Sequence, residues 1–325
     1  MLINLAVLKD YLVVFMFFKL VEAQLLSSGV LIEKEFEVKM LLACLIARGH
    51  ALLEGVPGVA KTSMAKSVAK LFNLGFKRVQ MTPDLLPGDI IGFYIFDQKT
   101  GEFRLRKGPI FTNILLVDEV NRASPRTQSA LLEAMQERQV TIEGDSFRLE
   151  EPFMVVATQN PVEMEGVFPL PEAQLDRFLV KINTGYPSRE GFKTLLKKID
   201  ELESAIEGLK PVVSKEQVVK AIHEARSITV DDAIYDYIVS IVEETRTHPA
   251  VRLGGSPRAG IAILRLSRAW AYLEGRNYVI PDDVKAVAKP ALAHRLVLKP
   301  EYEVEGVSAE KIVDDVLNKV QVPKP

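Results

Sequence analysis

Gly55-Val56-Pro57-Gly58-Val59-Ala60-Lys61-Thr62 is the stretch that most narrows what this chain can become. It follows Ala51-Leu52-Leu53, an apolar run that predicts a buried strand. It precedes Ser63 to Leu71, where Met64, Val68 and Leu71 recur at helical spacing. Strand, glycine-rich loop, lysine, hydroxyl and helix is the layout of a phosphate-binding loop. Gly55 and Gly58 let successive N–H groups turn inward, and the new helix adds the positive end of its dipole. Lys61 is expected to reach the β- and γ-phosphates of ATP, and the Thr62 hydroxyl to ligate Mg²⁺. Gly55, Val56, Pro57, Gly58, Val59, Ala60, Lys61, Thr62 and Ser63 are thus the candidate nucleotide cradle. The second glycine of the usual pattern is Ala60 here. Alanine implies an ordinary backbone at that point, with the curvature left to the glycines. The bland alternative is a Gly/Pro-rich turn with a chance Lys-Thr pair.

A second anchor is Asn113-Ile114-Leu115-Leu116-Val117-Asp118-Glu119. It predicts a central strand with two carboxylates at its carboxyl end, the edge where ligands of open α/β sheets bind. Asp118 is expected to hold Mg²⁺, partly through water, and Glu119 to polarise the attacking water. Either carboxylate alone reads equally as a solvated strand end; the pair downstream of a phosphate loop is the joint signal. Pro152 to Thr158 predicts another strand, followed by Gln159-Asn160-Pro161. Asn160 then lies near the same edge, to orient water or touch the γ-phosphate, unless it is simply a turn residue before proline. Asp176-Arg177-Phe178 precedes a strand from Leu179 to Asn183. Arg177 reads as a finger for a neighbouring subunit's phosphates or as an ion-pair partner of Asp176.

Between these anchors, Tyr94-Ile95-Phe96 and Phe103-Arg104-Leu105 predict one hairpin, and Gln139-Ile142 with Ser146-Leu149 another. Ser124 and Pro125 predict a helix start with Leu131, Leu132 and Met135 buried. Glu33 to Arg48 predicts a helix with Phe36, Met40, Leu41, Cys44 and Leu45 on one face, and His50 reads as a strand-entry residue. After Gly185 the strong apolar β-runs cease. Six helices are predicted, from Arg189, Lys215, Asp231, Pro257, Pro281 and Ser308 onward. Ser256 is expected to cap the helix of Pro257, with Arg258 reaching back to the nucleotide across the domain cleft or simply facing solvent. Arg265 and Arg268 read as solvated or packed along their stems, and Trp270 as core.

Composition trims the function classes. The 325 residues carry a formal net charge of -2, which argues against a strongly basic nucleic-acid binder. A single cysteine, Cys44, supplies neither a disulfide framework nor a zinc cluster and fits a reducing cytoplasm. Tyr11 to Phe18 is apolar but too short to span a bilayer, and Lys9, Asp10 and Lys19 bracket it. It reads as a helix packed on the body or on a neighbour, so no transmembrane segment is expected.

These residues together resemble the MoxR family of AAA+ ATPases. The likeness rests on Leu53-Glu54-Gly55 to Thr62, Thr82-Pro83-Asp84-Leu85-Leu86-Pro87, Val117-Asp118-Glu119-Val120-Asn121-Arg122-Ala123, Ala130 to Met135, Ala157-Thr158-Gln159-Asn160-Pro161, Pro169 to Phe178 and Ser256-Pro257-Arg258-Ala259. It runs from about Ala47 to the C-terminus; the first ~30 residues do not resemble the usual family opening. The resemblance implies an α/β AAA+ P-loop domain with a five-stranded parallel sheet, followed by a smaller all-α lid. The expected bounds are 1–30 for an N-terminal helical extension, 31–186 for the ATPase domain and 187–325 for the lid. It gives Lys61 and Thr62 the Walker A role, Asp118 and Glu119 the Walker B role, and Asn160, Arg177 and Arg258 those of sensor 1, trans finger and sensor 2. It implies ATP and Mg²⁺ as cofactors. It implies a homo-oligomeric ring, usually a hexamer, that remodels or matures client protein complexes, often with a von Willebrand A-domain partner. A ring-shaped DNA-dependent motor and a nucleotide-holding scaffold without turnover are the competing readings.

Overall fold

The computed structural model describes residues 19–25, 29, 31–56, 58–161 and 167–323. Pro57 and the apolar run Tyr11 to Phe18 lie outside the described residues. Residues 19–25 are helical, with Val21 and Leu25 fully buried in the larger core. Helix α1 (Glu35–Ile46) leads to strand β1 (Ala51–Glu54), the phosphate loop and helix α2 (Lys61–Leu71). Strand β2 (Phe76–Gln80) precedes a short helix, α3 (Pro87–Ile91), and a hairpin of β3 (Gly92–Asp97) and β4 (Glu102–Lys107). Strand β5 (Ile114–Asp118), helix α4 (Pro125–Glu137), a hairpin of β6 (Gln139–Ile142) and β7 (Asp145–Arg148), strand β8 (Met154–Gln159), a short helix α5 (Glu172–Leu175) and strand β9 (Val180–Asn183) complete the first part.

Five of these strands form one parallel sheet in the order β2-β5-β8-β1-β9. Leu53 lies beside Thr158 and Ile182, and Val117 beside Ala157, so the strand ends finish at one level. Alternate residues serve opposite faces, as the pleat requires. Ala51, Leu53, Ile114, Leu116, Met154 and Val156 join a large core with α1, α2 and the later helices. Leu52, Leu115, Val117, Val155 and Ala157 join a second core with α4 and the hairpins. Burial of both faces explains why the strands read as continuous apolar runs.

The later part is helical: α6 (Arg189–Gly208), α7 (Lys215–Arg226), α8 (Asp232–Thr247), α9 (Pro257–Leu273), α10 (Pro281–Leu292), α11 (Pro300–Val304) and α12 (Ala309–Lys319). A two-stranded ribbon, β10 (Val251–Leu253) with β11 (Val297–Leu298), interrupts it. Ser256 occupies the N-cap of α9, but its hydroxyl makes no capping bond, contrary to expectation. Phe36 also departs: it is half exposed at 47%, beside Trp270 with ring centroids 6.0 Å apart, while α1 buries every residue from Met40 to Ile46. That helix is enclosed between sheet and lid, so it has no single buried stripe.

Beyond the core they share, the two parts are joined by polar contacts, among them Lys39 with Glu274, Lys215 with Glu150, and a cluster around Arg295. Arg295, 5% exposed, donates from Nε to Asp176 Oδ1 at 2.7 Å and from Nη2 to the Phe178 carbonyl at 2.7 Å. His294 Nε2 meets the same carbonyl at 3.1 Å. Burial lowers the pKa of His294 well below the usual histidine value, keeping the ring neutral.

Candidate functional site

The phosphate loop is shaped by close packing. A Cβ on Gly55 would stand 2.2 Å from Thr184 Oγ1 and 2.4 Å from its carbonyl oxygen. Glycine is therefore needed there for close approach to the chain leaving β9. Thr184 in turn bonds the Glu54 carbonyl through its N–H at 2.7 Å and its hydroxyl at 2.9 Å. Gly58 takes φ +84. Ala60 takes φ 63 and ψ 19, a left-handed conformation at the N-cap of α2. The expectation of an ordinary backbone at Ala60 is thus overturned: alanine itself makes the last turn into the helix. Left-handed non-glycine residues gather at functional sites, where surrounding structure imposes them. Val59 is buried and Thr62 and Ser63 are half-buried at the first turn of α2. The Lys61 ammonium donates to the Gly55 carbonyl at 2.5 Å and reaches the Gln159 carbonyl at 3.5 Å. It thereby sits between the ends of β1 and β8, next to Asn160, which is 6% exposed.

The two carboxylates stand one strand further along the same edge. Asp118, 7% exposed, accepts from Thr158 Oγ1 at 3.1 Å and from Arg78 Nε at 2.5 Å. Glu119 leaves the strand with φ 56. Its N–H donates to Thr158 Oγ1 at 3.0 Å, and its carboxylate accepts from Gln80 Nε2 and Arg122 Nε, both at 2.8 Å. Thr158, Arg78 and Gln80 are residues the sequence reading missed. Arg78 and Gln80 alternate along β2, so one face of that strand presents both to the end of β5; that alternation was the available signal.

The donor set fits a magnesium ion. Asp118 already holds a cation, the Arg78 guanidinium, and Thr62 lies half-buried in the first turn of α2. Among the described residues no cluster of three or more His, Cys, Asp or Glu could hold a metal alone. This suits Mg²⁺, which takes one or two protein oxygens and completes its shell from phosphates and water.

Arg177 and Arg258 are elsewhere. Arg177 lies three residues before the start of β9, and Leu179 N–H bonds the carbonyl of His50, the residue before β1. Arg258 Nη1 lies 3.4 Å from Asp176 Oδ2. Both arginines line one cavity with Gly49, His50 and Met135, at the amino edge of the sheet. Lys61 and Asp118 are at the carboxyl edge, a strand length away, roughly 13 Å at ~3.3 Å per residue. The expectation that Arg258 reaches its own chain's nucleotide is therefore corrected: Arg258 shares a face with Arg177. Asp176 pairs with Arg258 and Arg295, so it is not spent on the Arg177 side chain among the described residues.

Known proteins place the chain in a family. Residues 50–180 match the family described as ATPase family associated with various cellular activities (AAA), and residues 243–316 match the AAA lid domain. The Bacillus subtilis protein YeaC is 52% identical over 282 residues, covering 87% of this chain and 88% of that one. The chaperone MoxR1 of Mycobacterium tuberculosis is 43% identical over 296 residues, covering 88% and 78%. The crystal structure of an ATPase candidate from Cytophaga hutchinsonii superposes with a TM-score of 0.90 at 39% identity, over 97% of this chain and 98% of that one. A strand-edge site of Lys61, Asp118, Glu119 and Asn160, a helical lid and relatives of this closeness make the chain a member of the MoxR family of AAA+ ATPases.

Proposed function

We propose that this chain hydrolyses Mg-ATP within a homo-oligomeric ring, a hexamer by family habit, and uses the cycle to remodel or mature client protein complexes in the cytoplasm. What carries the reading is the gathering of Lys61, Asp118, Glu119 and Asn160 at one sheet edge, beside the start of α2. In this reading the loop N–H groups from Gly55 to Ser63 and the Lys61 ammonium bind the phosphates. The Thr62 hydroxyl and Asp118 would hold Mg²⁺, which would supply positive charge to offset that of the phosphates. Glu119 accepts the proton of the attacking water once Gln80 and Arg122 release its carboxylate. Asn160 orients that water. Arg177 and Arg258, at the opposite edge, stabilise charge on the γ-phosphate of the next subunit.

The client side is supported by the two hairpins. Phe96 and Phe103 on β3 and β4 are 53% and 70% exposed and meet edge to face with centroids 5.3 Å apart. Tyr94 of the first hairpin donates to Asp145 of the second at 2.6 Å, which couples them. An exposed apolar tip suits contact with protein, including a von Willebrand A-domain partner. A nucleic-acid motor is not favoured. Arg104 pairs with Asp97 at 2.9 Å, Arg106 lies over the Phe93 ring and Lys107 over the Phe111 ring, so the hairpin offers few unengaged cations to phosphates.

Glu119→Gln tests the reading. It is expected to bind ATP normally and to lower turnover by about 10²- to 10⁴-fold, the usual worth of a general base. Wild-type turnover in that variant removes Glu119 from the role. Affinity capture of the same variant in ATP is expected to retain client protein rather than nucleic acid.

A further inference from the structure

Five arginines converge where the lid meets the amino edge of the sheet. Arg48 and Arg138 come from the ATPase part, and Arg226, Arg265 and Arg268 from the lid helices α7 and α9. They line a cavity of about 420 Å³ whose remaining walls are Ile46, Ala47 and Ala225. Among the described residues, the carboxylate paired with this group is Glu151, on Arg48. Arg138 is spent on the floor, donating to the carbonyls of Arg48 and Phe153. Arg268 Nη2 reaches the Tyr235 hydroxyl at 3.3 Å, but its Nε is buried without a partner. Arg226 and Arg265 are exposed and make no hydrogen bond or ion pair with described residues. In a chain of net charge -2, this concentration is local and not a reflection of overall basicity.

Like charges held this close repel, and the repulsion registers. Burial, then Arg48, Arg226 and Arg265, push the Arg138 guanidinium down to about 10. Arg48 is lowered too, by burial and by Arg226 and Arg265. An anion is the element that turns this arrangement from costly to favourable. Guanidinium forks match phosphate oxygens two at a time. The volume is that of a small-molecule site, and its walls hold too little apolar surface for a ligand that is mostly hydrocarbon.

We propose that this cavity is a binding site for a small anion bearing two or more phosphate groups, which bridges the ATPase part and the lid. The site is separate from the nucleotide pocket of the same chain, which lies at the other sheet edge, but it shares Arg48, Arg138 and Arg265 with the adjoining cavity of Arg177 and Arg258, so the test must exclude a neighbour's nucleotide. Because Arg48 and Arg138 belong to one part and the other three to the second, occupancy ties the lid to the sheet.

The test uses the full-length chain carrying Lys61→Ala, so that no subunit offers a working phosphate loop. Titration with pyrophosphate by calorimetry is expected to show one site per chain, and thermal unfolding a rise in midpoint. Adding Arg226→Ala or Arg265→Ala is expected to weaken binding by about tenfold or more each, the worth of a charge-assisted bond. The same variants without pyrophosphate are expected to unfold at the parent temperature or above it, since they relieve repulsion; this separates lost binding from lost folding. Unchanged pyrophosphate affinity in both variants, or no binding to the Lys61→Ala parent, overturns the proposal. So does binding that appears only in assembled rings with an intact phosphate loop, because the anion would then be a neighbour's nucleotide.

Discussion

Ala60 holds a left-handed backbone without the freedom of glycine. For an L-residue that conformation costs about 1–2 kcal/mol. Replacing it with glycine relieves this cost but adds about 0.5–1 kcal/mol of chain entropy. Ala60→Gly is therefore expected to leave the unfolding midpoint unchanged or raise it by a few degrees, with ATP affinity retained. Ala60→Val places a β-branched side chain where it fits worst, and is expected to lose ATP binding. Nucleotide affinity and thermal unfolding on the pair check this; loss of affinity in the glycine variant would contradict it. Residue type alone did not disclose this backbone, because alanine favours the right-handed helix that begins one residue later. The loop must turn at Ala60 to enter the helix that begins at Lys61, and that turn is set by tertiary structure rather than by residue type. The pair Asp118 and Glu119 was legible, since carboxylates rarely end an apolar strand by chance. Their holders Arg78, Gln80 and Thr158 were not, because their roles depend on which strand lies beside which.

His50 works at the scale of elements, joining three of them. Its Nδ1 accepts from Val155 N–H of β8 at 2.9 Å, and its Nε2 pairs with the Met135 carbonyl of α4 at 3.0 Å. Only the neutral ring can accept at Nδ1. Burial, with Arg138 nearby, pushes its pKa down to about 3. The unfolded ring takes a proton near pH 6.5 and the folded one does not until about pH 3. Stability is thus full above pH 6.5 and falls as pH drops toward 3, by about 1.4 kcal/mol per unit for this group. His294 is shifted in the same direction. Denaturant unfolding at pH 7 and pH 5 is expected to show this slope, and His50→Gln to flatten it; an identical slope in the variant would contradict the assignment. Long elements were legible because their periodicity runs over many residues. Helices α3 and α11 and the β10–β11 ribbon were not, being shorter than any repeat and formed by docking. The start of α9 was legible, but the sheet edge it faces is set by Arg295 and His294 gripping Asp176 and Phe178.

For the whole molecule, the separation of the two arginines from the phosphate loop means that, in the proposed reading, hydrolysis is a property of neighbours. Specific activity is expected to rise with protein concentration. Arg177→Ala and Lys61→Ala are each expected to be nearly inactive, by about 10³-fold or more for the arginine. Mixed together they are expected to regain activity, because Lys61→Ala subunits lend Arg177 to pockets that still bind ATP. Arg295→Lys, which loosens the fork on Asp176, is expected to behave as the arginine-deficient partner in such mixtures; absence of rescue in every pairing would contradict the trans assignment. A protomer whose acceptor and donor lie on opposed margins cannot satisfy a partner by a twofold axis, for that would leave one margin of each unmatched. It hands on, head to tail, and where the rotation between copies closes, as the proposed ring requires, the chain of copies meets its own beginning. Such a circle has a sense of rotation written into it, and a firing order around it can run one way more easily than the other.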